Sequence, residues 1–113
     1  MSLTVSKKLP FNRYRYRVYV TNSGKVRRSI GPSNLRHIFG ALNNYSGIKF
    51  TQCFKRYHDK EWTYIPSLYF YAESLDWLPI IVLTEPRYVT RIEEIKTSKE
   101  IENESAIKNS TRT

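Results

Sequence analysis

Arg13-Tyr14-Arg15-Tyr16-Arg17-Val18-Tyr19-Val20 alternates without a break. Successive side chains of an extended chain point to opposite faces, so Tyr14, Tyr16, Val18 and Val20 share one side and Arg13, Arg15, Arg17 and Tyr19 the other. The stretch predicts a strand over about residues 12–21, with one face for a core and an arginine face turned away from it. Three guanidinium groups on one face of a strand repel one another unless something anionic stands in front of them.

Working outward, Asn22-Ser23-Gly24-Lys25 reads as a tight turn, and Val26 to Ile30 as the return strand of a hairpin. Arg27 and Arg28 then point to opposite sides, so one of them joins the arginine face. Gly31-Pro32-Ser33-Asn34 signals a helix start, with Ser33 as the N-cap and Asn34 as the alternative. Leu35, Ile38, Phe39 and Leu42 recur at i, i+3, i+4 and i+7, one apolar stripe of a helix over about 34–44. Residues 48–57 read as a strand, with Ile48, Phe50 and Phe54 on one face and Lys49, Thr51, Cys53 and Lys55 on the other. A polar turn at residues 58–61 leads to a partner strand over 62–71, interrupted by Pro66. Ile80 to Leu83 reads as a short apolar strand and Arg87 to Ile95 as the last one. In that last strand Val89, Arg91, Glu93 and Ile95 share a face.

Residues 1–11 look like an irregular basic arm and residues 96–113 like a polar flexible tail, disordered or a frayed helix. Too few apolar residues lie in that tail to offset its ordering entropy. The expected fold is α+β in the order β-β-α-β-β-β-β. One amphipathic helix packs on one face of a mostly antiparallel twisted sheet, within a single domain over residues 12–95. The other sheet face is left partly open.

The formal net charge of the 113-residue chain is +9, and its distribution matters more than its size. Residues 1–58 hold twelve cations and no acid, whereas residues 59–113 hold seven cations and all ten acids. A field that one-sided predicts an extended anionic partner, most often nucleic acid. The expected contact residues are Arg13, Arg15, Arg17, Tyr19, Lys25, Arg27, Arg28, Arg36, Lys49, Lys55, Arg56 and Tyr57. Arginine pairs bidentately with phosphate, and exposed tyrosines offer platforms on which bases stack. Tyr14 and Tyr16 share a face with two valines and are expected in the core. Tyr19, Tyr57, Tyr69 and Tyr71 are therefore the better stacking candidates. The favoured partner is RNA or single-stranded DNA, because the one clear helix carries a single arginine, Arg36, and makes a poor major-groove reader.

Two other readings follow from the same residues. A small interaction protein, such as a phage-type inhibitor, would turn the basic face to an acidic surface of a host protein or nucleoprotein complex. A metal-free endoribonuclease would use His37, His58, Asp59, Glu61 and Arg56 as acid–base and phosphate-binding groups. That spacing carries no catalytic signature, so the chain is expected not to be an enzyme.

One cysteine, Cys53, excludes an intrachain disulfide and a four-thiolate zinc site. Four glycines form no phosphate loop, and no metal or cofactor is expected. No signal peptide or membrane span is legible, which predicts a cytoplasmic protein, in the host cell if viral. Abundant Lys, Asn, Ile, Ser and Tyr suit an AT-rich genome such as that of a bacteriophage. Unpaired sheet edges allow a monomer or a homodimer.

Overall fold

A computed structural model describes residues 2–57 and 68–111, with side chains up to residue 104 except that of Tyr57. The chain is α+β. A five-stranded mixed sheet carries strands β1 (Ser2–Ser6), β2 (Tyr16–Val20), β3 (Ile48–Phe50), β4 (Tyr69–Ala72) and β5 (Val89–Thr97). Their order across the sheet is β1-β5-β2-β4-β3. Among the described residues only β1 and β5 run parallel; the other three pairs are antiparallel. The helices are α1 (Gly24–Ile30), α2 (Pro32–Asn43), α3 (Gln52–Tyr57), α4 (Leu78–Thr84) and α5 (Ser98–Thr111).

The alternation of β2 holds from Tyr16 onward. Val18 and Val20 are buried, in one cluster with Phe70 and Ala72 of β4 and Phe50 of β3. Helices α1 to α4 cover that face through Ile30, Leu35, Ile38, Leu42, Phe54 and Ile81, with Trp77 just ahead of α4. The periodic stripe of α2 lies where its spacing places it, with Leu35, Ile38 and Leu42 buried and Phe39 against the core. Burying each of these large side chains contributes about 1.5–3 kcal/mol.

Several elements differ from the sequence expectation. Residues 24–30 form a helix, not the return strand of a hairpin. Ser23 caps it by accepting a bond from the Val26 N–H, 3.4 Å, and Val26 and Ile30 turn toward the core one turn apart. Gly31, at φ 87°, ends α1 and opens α2. Neither Ser33 nor Asn34 is the N-cap: Pro32 stands in the first turn, and the Asn34 amide donates back to the Ile30 carbonyl, 2.8 Å. Residues 48–57 are a three-residue strand followed by a helix. Thr51 makes the break, accepting from the Phe54 N–H at 3.1 Å while its hydroxyl donates to the Tyr69 carbonyl at 3.2 Å. Residues 80–83 belong to a helix with Pro79 in its first turn, where a missing N–H costs nothing. Residues 2–6 of the supposed arm pair in parallel with β5. The tail, expected to be disordered or a frayed helix, takes the helical alternative over Ser98–Thr111. The expected turn at 58–61, with His58, Asp59 and Glu61, and most of the expected strand at 62–71 lie outside the described residues.

Candidate nucleic-acid interface

The strand register assembles the side of the sheet opposite the helices. Directly opposed residues share a face, so Lys49, Tyr71, Arg17, Glu93 and Ser2 form one row across all five strands. Tyr69, Tyr19 and Arg91 form the next row. Among the described residues no helix of the main core covers these rows. The three tyrosines are half-buried, with ring centroids 5.5 Å apart for Tyr19–Tyr69 and 5.6 Å for Tyr69–Tyr71.

Guanidinium groups thread this aromatic floor. The Arg17 group lies 5.5 Å from the Tyr69 ring centroid and 5.6 Å from that of Tyr71, and the Arg91 group 4.1 Å from that of Tyr19. Such contacts contribute about 0.5–2 kcal/mol each, depending on exposure. Arg17 also donates to the Glu93 carboxylate at 3.0 Å, and its Nε is buried without a hydrogen-bond partner among the described residues. The Tyr69 hydroxyl is pushed above its ordinary pKa, first by burial and then by the neighbouring Tyr71 hydroxyl.

Phe11 walls one end of the floor. It is exposed, stands edge-on to Tyr14 and Tyr71, and has the Lys49 ammonium 5.0 Å from its ring centroid. Its backbone sits at φ 55° and that of Asn12 at φ 58°. A bulky residue in the left-handed region is strained by about 1–3 kcal/mol, so the surrounding contacts hold it there. Tyr14 is buried as expected, but it packs against Phe11 and Tyr71 rather than joining the main cluster. Tyr16 packs against the core.

The repulsion posed by the arginine row is answered within the chain. Arg13 pairs with Glu73, Arg15 with Glu100 through bonds of 2.7 and 3.0 Å, and Arg17 with Glu93. All three acids come from the second half of the sequence. Hydrogen bonding from Arg15 holds the Glu100 carboxyl below the usual carboxylate range. Glu73 lies close over Gly47, where a Cβ would stand 2.9 Å from its Oε2.

The remaining expected contact residues scatter. Arg27 is fully buried beneath the helical layer and donates to the Thr21 carbonyl at 3.1 Å, so it is a structural residue and not a surface contact. Burial pushes the neighbouring Tyr88 hydroxyl up, against the opposing charge of Arg27. Lys25, Arg28, Arg36, Lys55 and Arg56 are exposed on helices α1 to α3, away from the tyrosine rows. Lys49 is exposed beside the floor, and Tyr57 ends α3. His37 is exposed on α2. Among the described residues no three His, Cys, Asp or Glu side chains come together as metal ligands, and no helix is long and apolar enough to cross a membrane.

Sequence reasoning gave no role in the site to Arg91, Glu93, Glu73 or Phe11. The shared face of Arg91 and Glu93 was legible in the alternation of β5, but not that this face lies against Tyr19 and Arg17. No family model, curated protein or solved structure matches the chain.

Proposed function

We propose that the open sheet face binds single-stranded nucleic acid, RNA or DNA, without catalysis. The observation that carries this reading is the floor of Tyr19, Tyr69 and Tyr71, three half-exposed rings on the sheet face opposite helices α1 to α4, with Arg17 and Arg91 against them. Bases stack on such rings whatever their sequence, at about 1–3 kcal/mol per base. Arg91 and Lys49, at the rims, meet phosphates. Arg13, Arg15 and Arg17 act chiefly by holding the floor in place, since each is hydrogen-bonded to a carboxylate, whereas the exposed Arg91 only reaches Glu93 at 3.8 Å. The net charge of +9 favours the encounter from a distance.

Titration of a labelled oligonucleotide against salt tests the reading. Binding should fall with rising salt, by roughly −0.7 in the log–log slope for each phosphate neutralised on a single strand. Tyr19→Ala with Tyr69→Ala and Tyr71→Ala should abolish most of it. Absence of a salt slope, or wild-type affinity in that triple variant, rules the reading out.

A second reading rests on the helical layer. Lys25, Arg28, Arg36, Lys55 and Arg56 are exposed there, on the far side from the tyrosines. That surface suits an acidic protein partner. A complex recovered from lysate that survives nuclease treatment and is lost on reversing these charges would favour it over the sheet-face reading.

A further inference from the structure

The two edges of the sheet are built differently. At one edge β3 is three residues long and carries Lys49, the usual means of blunting an edge. At the other, β1 reads Ser2-Leu3-Thr4-Val5-Ser6, five residues with no charge, no proline and no glycine. Among the described residues its outer backbone groups face no other strand of the sheet. Leu3 and Val5 are each 56% exposed, and both point to the helix side, because Leu3 pairs with Glu94, in the row of Tyr16 and Ala72. Apolar surface continues beside them. An open groove of about 360 Å³ runs between β1, β5 and α4, with Leu78, Val82, Val89 and Ile92 in its walls. Ile80 and Leu83 of α4 are exposed as well.

The strand is also complementary to itself. Run antiparallel about Thr4, Leu3 of one copy meets Val5 of the other on the helix side, while Ser2 meets Ser6 and Thr4 meets Thr4 on the opposite side. Lys7 and Lys8 of each copy then fall beyond Ser2 of the other, so no two lysines meet across the seam. In a chain carrying +9, the five residues of this seam, Ser2 to Ser6, are uncharged, so no charge opposes their pairing.

We propose that the β1 edge pairs antiparallel with the β1 edge of a second copy, giving a two-fold dimer with one continuous ten-stranded sheet. Such a contact is isologous and closes on itself. It places both tyrosine floors on the same side of the joined sheet, although the pairing itself does not depend on what those floors bind. The seam is small for a stable interface, so the dimer is concentration-dependent, with a dissociation constant on the order of 10 μM.

Sedimentation equilibrium of the full chain, from roughly 1 to 500 μM, reads this directly. The wild type should pass from monomer to dimer over that range. Leu3→Lys with Val5→Lys sets like charges across the seam and should weaken dimerisation at least about tenfold. Leu3→Lys with Val5→Glu sets each lysine opposite the partner's glutamate and should dimerise like the wild type. Both sites are exposed, and a thermal melt checks that each variant folds. A wild type that stays monomeric throughout, a Lys/Lys variant that dimerises undiminished, or a Lys/Glu variant as weak as Lys/Lys would each overturn the proposal.

Discussion

The two faces of β2 come from the same eight-residue alternation and are held by different forces. On the helix side Val18 and Val20 are nearly inaccessible and need only shape and apolar surface from Phe70, Phe50 and Ile30. On the open side Arg17 and Tyr19 are half-buried and held by direction: a carboxylate bond to Glu93, and rings and guanidinium groups at 4.1 to 5.6 Å. Burial on one face gives stability that tolerates no truncation. Paired charge and stacked rings on the other give a surface that keeps its form yet stays open.

The sharpest way to break the comparison is to cut into each face in turn. Phe70→Ala on the helix side should cost about 3–5 kcal/mol, since the ring meets Phe50, Phe54 and Trp77 and leaves a cavity. Chemical denaturation reads that loss. On the open side, Arg17→Met leaves the Glu93 carboxylate buried with the more distant Arg91 at 3.8 Å as its one remaining ion-pair partner among the described residues. It should cost about 1–3 kcal/mol in the same assay. Arg13→Met, three-dimensionally close but solvent-facing, should leave stability unchanged, because an exposed pair contributes little. Equal losses for Arg17 and Arg13 would mean that burial of Glu93 does not matter.

Arg27 refines the same contrast from inside the core. Arg27→Met should cost about 1–3 kcal/mol through the unsatisfied Thr21 carbonyl and leave oligonucleotide affinity untouched once the protein is folded. Loss of affinity in a folded Arg27 variant would return it to the binding surface.

The smallest expected effect is that of pH. Glu100 and Glu85 both titrate below the ordinary carboxylate range, each chiefly through a hydrogen bond from its arginine, Arg15 and Arg87 respectively. A depressed folded pKa means that the contribution to stability is complete above the unfolded value, about 4.3, and is lost as pH falls through the folded one. Wild type should therefore melt slightly above Glu100→Gln at neutral pH, with the gap closing below about pH 4. A gap that widens on acidification would contradict this assignment.

Where the sequence was legible, one period dominated. The alternation of residues 16–20 and the stripe of Leu35, Ile38 and Leu42 each excluded the competing period, and both elements formed. β5 formed too, but a register shift opposite Tyr19 and Val20 turns Val89 to the core side, off the face it was expected to share with Arg91 and Glu93. The failures share a cause as well. Val26 with Ile30, and Phe50 with Phe54, are spaced by four residues, and a spacing of four keeps one face in both a strand and a helix. Local pattern leaves those segments open. Ser23 and Thr51 decide them by capping, each accepting a backbone N–H three residues on.

By itself the sequence determined the α+β class, the two-faced strand at its centre, the amphipathic helix beside it and the segregation of charge into opposite halves. These are properties of near neighbours, which periodicity and composition record directly. Only the tertiary structure decided what the charge segregation is for within the fold. It brought Glu73, Glu93 and Glu100 across 60 to 85 residues to meet Arg13, Arg17 and Arg15, and took Arg27 into the core. It also set Tyr19, Tyr69 and Tyr71 side by side on one face. Partners that far apart are chosen by strand register and packing, and no local pattern encodes the register that joins them.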